Sequence, residues 1–195
     1  MVSIETIKET LFNILFPQIC LSCKEVLQET FEKETLICKP CFDQIHFIQT
    51  KTHIQDNISL IALSSYKNSV IRSLIHNLKY QKLTTVMIPI EKLLDDFLKT
   101  PLGLELQYYD TIVPIPLHPK RENERGFNQA KLISDTLASK IGLPITDCMK
   151  RVINTHHQTN LKNHSKRVEN VSGAFEVKDG YSIKDLNILL VDDVY

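Results

Sequence analysis

The sequence predicts an α/β domain built on a parallel sheet and preceded by a small metal-binding module. Three observations carry this. The run Ile188-Leu-Leu-Val191 is apolar without a break, which suits a strand covered on both faces, and Asp192 and Asp193 follow at its carboxyl end. Two short cysteine pairs, Cys20-Leu-Ser-Cys23 and Cys38-Lys-Pro-Cys41, lie fourteen residues apart. Between the second pair and the last strand, strand-like and helix-like patterns alternate.

A chain of 195 residues, 43% of them hydrophobic, can hold one well-cored domain with an appendage. The division expected from composition is 1–57 for an N-terminal helix and metal module, and 58–195 for the α/β domain. Net charge is zero, which argues against bulk attraction to nucleic acid or to an anionic membrane. The charge is uneven, however. Residues 111–170 carry ten Lys/Arg against five Asp/Glu, with four of the seven histidines, so an anion site is expected there. No apolar run approaches the roughly 18 residues needed to cross a bilayer. Glu5 and Glu9 stand where a signal peptide would be basic, so no export signal is expected.

In chain order, Ile4, Ile7, Leu11, Ile14 and Leu15 recur at helical spacing before Pro17. That apolar face is expected to dock on the protein's own core, with a membrane surface as the alternative. The four thiols of Cys20, Cys23, Cys38 and Cys41 suit tetrahedral zinc. In a chain without an export signal, such pairs favour metal over disulfides. Four protein ligands leave no open position, so the zinc is expected to be structural, contributing on the order of 10–16 kcal/mol to folding. Lys24 and Phe42 stand where a glycine often completes such a knuckle. Cys148 is far away and reads as a small buried hydrophobe.

Residues 49–57 read as a polar linker, and residues 58–66 as a strand. Ile71, Leu74, Ile75 and Leu78 mark one amphipathic helix, and Ile90, Leu93, Leu94 and Phe97 a second over 86–98. Leu102-Gly103 marks a break. Asp110-Thr-Ile-Val-Pro-Ile-Pro116 is a short strand with prolines at its exit. Residues 118–125, with His118, Lys120, Arg121 and Arg125, read as a polar loop leading into a helix that carries Ala130, Ile133, Leu137 and Ile141 and closes at Gly142. Strand, basic loop and helix start make an anion-binding arrangement, Arg121 and Arg125 each able to fork two hydrogen bonds onto a phosphate. The alternative is a solvated basic loop. Residues 151–170 have no helical or strand period, and their basic and amide side chains fit a flap over an anionic ligand. A strand over 171–177 and the terminal strand complete the pattern. Asp192 and Asp193 could accept hydrogen bonds from a vicinal diol or help hold Mg²⁺, or could form a solvated acidic turn.

The terminal run resembles the ribose-phosphate loop of type I phosphoribosyltransferases, in which two acids follow a hydrophobic strand. Several further motifs occur in order: Leu15-Phe16-Pro17, the cysteine pattern, Arg121 with Arg125-Gly-Phe-Asn-Gln129, then Arg151, Thr155, Gln158, Leu161, Arg167 and Asn170, and last Val191-Asp-Asp-Val194. On these the chain is similar to the ComF family, competence-associated relatives of the amidophosphoribosyltransferase fold, from about Leu15 to the final residue.

The resemblance implies a type I phosphoribosyltransferase-like parallel sheet with an N-terminal four-cysteine zinc module. It implies binding of phosphoribosyl pyrophosphate (PRPP) or a related phosphorylated sugar through Asp192, Asp193, Lys120, Gln129, Thr155 and Gln158, with Mg²⁺. Arg121, Arg125, Arg151 and Arg167 would be the catalytic cations. A cytoplasmic location, with the inner membrane surface as a peripheral site, and a role in uptake of single-stranded DNA during natural transformation are likewise implied, with single-stranded DNA and other competence proteins as partners. Family members continue past these acids with a Thr-Thr-Gly loop, a helix and one or more strands. This sequence is therefore expected to be a shortened form, incomplete in its last helix and strands and inactive as a transferase.

Three functions compete on these residues. The first is PRPP binding without turnover. The second is a working phosphoribosyltransferase of unknown acceptor, in which positioning and charge dominate and no side-chain nucleophile is needed. The third is a single-stranded DNA-binding module, for which Tyr80, Tyr108, Tyr109 and Phe127 offer stacking faces without forming a run.

Overall fold

The computed structural model describes residues 15–55, 57–80, 84–154 and 172–195. By packing, the chain divides into two compact units, Met1–Leu102 and Gly103–Tyr195. The N-terminal helix expected up to Leu15 lies, but for that residue, outside the described residues.

The first unit begins with a small hairpin around the first cysteine pair, closed by hydrogen bonds from Leu27 N to Gln18 O (2.8 Å) and from Cys20 N to Glu25 O (2.8 Å). Helix α1 (Thr30–Thr35) and the short α2 (Lys39–Phe42) follow, the latter spanning the second pair. The stretch expected as a linker instead forms β1 (Thr52–Gln55), antiparallel to β2 (Ile58–Leu60). All four β1 residues are exposed, so no apolar alternation betrays the strand. β2 is correspondingly shorter than the strand expected over 58–66.

Helix α3 (Ser69–Tyr80) buries Leu74, Ile75 and Leu78 of its expected face but Val70 in place of the half-buried Ile71, and α4 (Met87–Phe97) buries Ile90, Leu93, Leu94 and Phe97, the face that the spacing predicts. The Asn68 side chain caps α3, its Oδ1 accepting from Val70 N and Ile71 N, while its Nδ2 donates to Gln44 O at 2.7 Å. Further along, Ser73 Oγ and Asn77 Nδ2 both donate to Leu21 O, at 3.3 and 2.9 Å. These three side chains bind α3 to the cysteine module. The boundary expected at residue 57 therefore lies inside a packing unit. At Leu102-Gly103, where a break is expected, the backbone makes a helical turn opened by Pro101, α5 (Pro101–Leu104), and the chain divides into its two units between these residues.

In the second unit, β3 (Thr111–Pro114) pairs in parallel with β6 (Ile188–Val191), Thr111 opposite Ile188 and Pro114 opposite Val191. Asp110 fixes this register at the start: its amide donates to Asn187 O (2.8 Å), and its Oδ2 accepts from Asn187 N (2.6 Å). On its other side Ile112 bridges to Ile145 in parallel, so β3 is central and wholly buried. β6 is not covered on both faces as its apolar run predicts: Leu190 is 51% exposed, while Val191 is buried.

The expected polar loop at 118–125 is mostly helix, α6 (Pro119–Arg125). His118 Nδ1 accepts from Lys120 N at the N-cap, Pro119 takes the first turn, and Gly126 ends the helix at φ +89°, a left-handed conformation that favours glycine. These start and stop signals act over too few residues to show a period. Helix α7 (Gln129–Ile141) follows and packs against β3 and β6. β4 (Met149–Arg151) and β5 (Phe175–Val177) form an antiparallel pair.

Candidate functional site

The sulfurs of Cys20, Cys23, Cys38 and Cys41 all lie within 4.8 Å of one another, with Cys23 and Cys38 at 3.5 Å. Tetrahedral zinc at a Zn–S distance of about 2.3 Å sets its sulfurs about 3.8 Å apart, so the group fits such an ion. Three of the four residues are buried and Cys23 is exposed.

Local backbone explains the geometry. After the first pair Lys24 adopts φ +70° and donates its amide to Cys20 O, the turn a glycine often makes. After the second, the chain enters α2 directly, so Phe42 needs no left-handed conformation. Burial raises the Cys20 thiol, but the amides of Cys38, Cys23 and Ser22 outweigh it and bring the group down to about 7. Burial pushes Cys38 and Cys41 upward; the neighbouring sulfurs add to it at Cys38, while at Cys41 the Cys38 sulfur works against it and Cys23 and Cys20 add to it. Four crowded thiols cannot all ionise alone; a doubly charged cation would remove that conflict, as expected of a closed structural site.

The second candidate site is built at the carboxyl ends of β3 and β6, within the second unit. Val191 O accepts from Ile115 N at 2.9 Å, carrying the pairing one residue past β3. Asn128 then ties strand exit to helix start: its Nδ2 donates to Ile115 O (3.0 Å) and its Oδ1 caps α7 by accepting from Ala130 N (3.0 Å). This brings α6, the start of α7 and the end of β6 to one edge of the parallel pair, where open α/β sheets bind ligands.

The half-buried Arg151, at the end of β4, feels both Arg121 and Asp192. Burial lowers its pKa from the ordinary value, the like charge of Arg121 lowers it further, and Asp192 pulls it back. Two guanidinium groups and a carboxylate therefore share one electrostatic environment. Arg121 and Arg125 are both half-buried on α6, one helical turn apart, and Arg125 Nη1 donates to Gln129 Oε1 at 2.7 Å. Gln129 is 2% exposed, and its Nε2 has no hydrogen-bond acceptor among the described residues. Lys120 is exposed on the same helix. Asp192 Oδ1 accepts from Asp193 N at 2.8 Å, which bends the chain at the strand end. Thr155, Gln158 and Arg167 lie outside the described residues.

Two contributors were not singled out from sequence. Phe175 lies across the β4–β5 pair from Arg151, its ring 5.1 Å from the guanidinium carbon. Glu32, in α1 between the cysteine pairs, accepts three backbone amides. No sequence signal marks Phe175; for Glu32 the spacing from Glu29 is that of a capping box, but glutamate is not a favoured N-cap.

No family model matches the chain, and no solved structure matches it. Curated proteins do. The chain is 33% identical to "Competence protein F" of Haemophilus influenzae over 94 residues, 46% of this chain and 40% of that protein. It is 29% identical to "DNA utilization protein YhgH" of Salmonella typhimurium over 137 residues, 69% of this chain and 59% of the relative. With "Competence protein ComFC" of Bacillus subtilis it shares 25% identity over 186 residues, 91% of this chain and 72% of the relative. The matches thus span under two thirds of the first two relatives. No helix among the described residues is long and apolar enough to cross a membrane.

Proposed function

We propose, for a chain that belongs to the ComF family of competence proteins, that the second unit binds a phosphorylated sugar of the PRPP type and that the protein serves uptake of single-stranded DNA. The observation that carries the ligand reading is the shared environment of Arg151, Arg121 and Asp192 at the carboxyl end of a parallel strand pair. Cations there suit a pyrophosphate, and adjacent carboxylates suit the hydroxyls of a ribose ring. Asp192 and Asp193 also offer the hard oxygens that Mg²⁺ would take from a protein when bound with PRPP. The fold reading remains that of a type I phosphoribosyltransferase relative, with Arg125, Gln129 and Lys120 lining the phosphate side and Thr155, Gln158 and Arg167 contributing from the following segment.

Binding rather than turnover is the reading we adopt, because the cysteine centre offers no open position for chemistry and no attacking base is indicated. The DNA role is supported by the relatives' names, which speak of competence and of DNA utilization. Single-stranded DNA is thus the first macromolecular partner to test, the pull of salt on its affinity being the mark of phosphate contacts.

Calorimetry of protein purified from its own source, with PRPP and Mg²⁺, tests the ligand. Asp192→Ala with Asp193→Ala should weaken binding about tenfold or more, as loss of charge-assisted hydrogen bonds does. Absence of PRPP binding by the unaltered protein would sink the reading. Pyrophosphate release that depends on one added nitrogen acceptor would instead make it a transferase.

A further inference from the structure

The geometry points to Glu32 as a positioning residue for the metal, the group that sets the second cysteine pair against the first. Glu32 is 7% exposed and sits in α1, between the pairs. Its Oε2 accepts from Gln28 N at 2.9 Å and from Glu29 N at 3.3 Å, while its Oε1 accepts from Lys39 N at 2.8 Å. One carboxylate therefore reaches two parts of the chain that sequence separates. Gln28 directly follows Leu27, whose amide closes the hairpin of the first pair. Lys39 lies inside the second pair, at the first position of α2.

The need for an outside group follows from Cys38. It occupies the N-cap of α2, where a side-chain oxygen would ordinarily satisfy the first amides, yet it makes no side-chain cap. Its sulfur is instead turned to the cluster, 3.5 Å from Cys23 Sγ. An N-cap side chain in any case reaches the second or third amide of its helix, so the first amide of α2, that of Lys39, needs an acceptor from elsewhere. Glu32 supplies the missing acceptor, and its other oxygen caps α1. The amides of Lys39 and Gln28 hold its carboxyl below the usual carboxylate range, so an ionised acceptor spans the two pairs at neutral pH. With the loop pinned at both ends, the Cys38 and Cys41 sulfurs are held near the others before metal arrives, and metal leaves against a closed frame. Glu29 provides an internal control, because it is the N-cap of the same capping box while the Lys39 amide goes to the Glu32 carboxylate.

The test is zinc release from the full chain into a chromogenic chelator, with the Co²⁺-loaded protein giving the thiolate-to-metal spectrum. Outer residues that orient ligands change metal affinity by about 10–100-fold. Glu32→Ala should speed release at least tenfold, Glu29→Ala should stay within about twofold, and Glu32→Gln should fall between, since one carbonyl oxygen can serve one end but not both. Co²⁺ bands should weaken or shift in Glu32→Ala and return toward the parent in Glu32→Gln. Release from Glu32→Ala at the parent rate, or equal acceleration in Glu29→Ala, would overturn the assignment. If the alanine variant does not fold, the Gln variant decides alone: parent-like release and spectrum would overturn it.

Discussion

Arg151 faces Phe175 directly across the β4–β5 pair, with its guanidinium carbon 5.1 Å from the ring centroid. The ring holds the planar cation in one orientation through a cation–π contact, worth roughly 1 kcal/mol at a partly buried site. Phe175→Leu keeps apolar bulk and removes the quadrupole, so PRPP affinity should fall about fivefold, the equivalent of that energy. Arg151→Ala should cost more, about tenfold or above, by deleting the donors themselves. Calorimetry measures both. Equal affinity in the parent and Phe175→Leu, with unchanged urea midpoints, would separate the ring from the ligand.

Metal removal should be felt first in the unit that contains the cysteines. α3 is tied to the Leu21 carbonyl, so loss of the ion loosens more than the loop that binds it. Structural zinc contributes on the order of 10 kcal/mol to modules of this type. Chelation, or Cys38→Ser, should therefore abolish cooperative melting of this unit, with one zinc per chain lost. Thermal melts with metal analysis check it; an unchanged melt after complete chelation would mean that the cluster carries no structural ion.

Legibility followed the length and regularity of each signal. The apolar spacing of α3, α4 and α7 was enough to place them, because each buries one stripe of a long helix. The cysteine centre was equally open, since its ligands sit close in sequence and four of a kind have few other uses. The short elements were hidden. α6 is Pro119 followed by six polar residues, none of them fully buried, and only His118, Pro119 and Gly126 mark its ends. β1 has no buried residue at all. At the second site, sequence could supply Arg121, Arg151 and Asp192 as candidates, but their electrostatic coupling joins residues of three separate elements. Phe175 and Glu32 stayed invisible because each acts through a partner distant in the chain.

Asn77 is an amide buried to 3% exposure, and its Nδ2 shares the Leu21 carbonyl with Ser73 Oγ and Lys24 Nζ. Asn77→Ala should destabilise by about 1–2 kcal/mol, since the carbonyl keeps weaker donors, and Ser73→Ala by less. Removing both leaves the carbonyl only the exposed lysine, so the double change should exceed the sum of the singles. Urea unfolding at fixed zinc concentration measures the cycle. Strict additivity would show that the donors act independently.

Asp96 gives a pH dependence whose sign can be worked out. On α4 it accepts from Lys92 Nζ at 2.8 Å on both oxygens and from Lys99 Nζ at 3.0 Å. It sits in the last turn, where a negative charge opposes the helix dipole, so the lysines offset an unfavourable placement. Burial raises its pKa, but Lys92 and then Lys99 prevail, and the group ends below the ordinary 3.8. A carboxyl depressed in the folded state adds stability above its unfolded pKa and loses it as pH falls through the folded value. Partial exposure limits the contribution to about 1 kcal/mol or less. Asp96→Asn should thus unfold at lower urea than the parent at pH 7, and the gap should close below about pH 4. Salt at about 1 M should shrink the gap at neutral pH as well. A gap that stays constant from pH 7 to pH 3 would assign the effect to side-chain packing instead of charge.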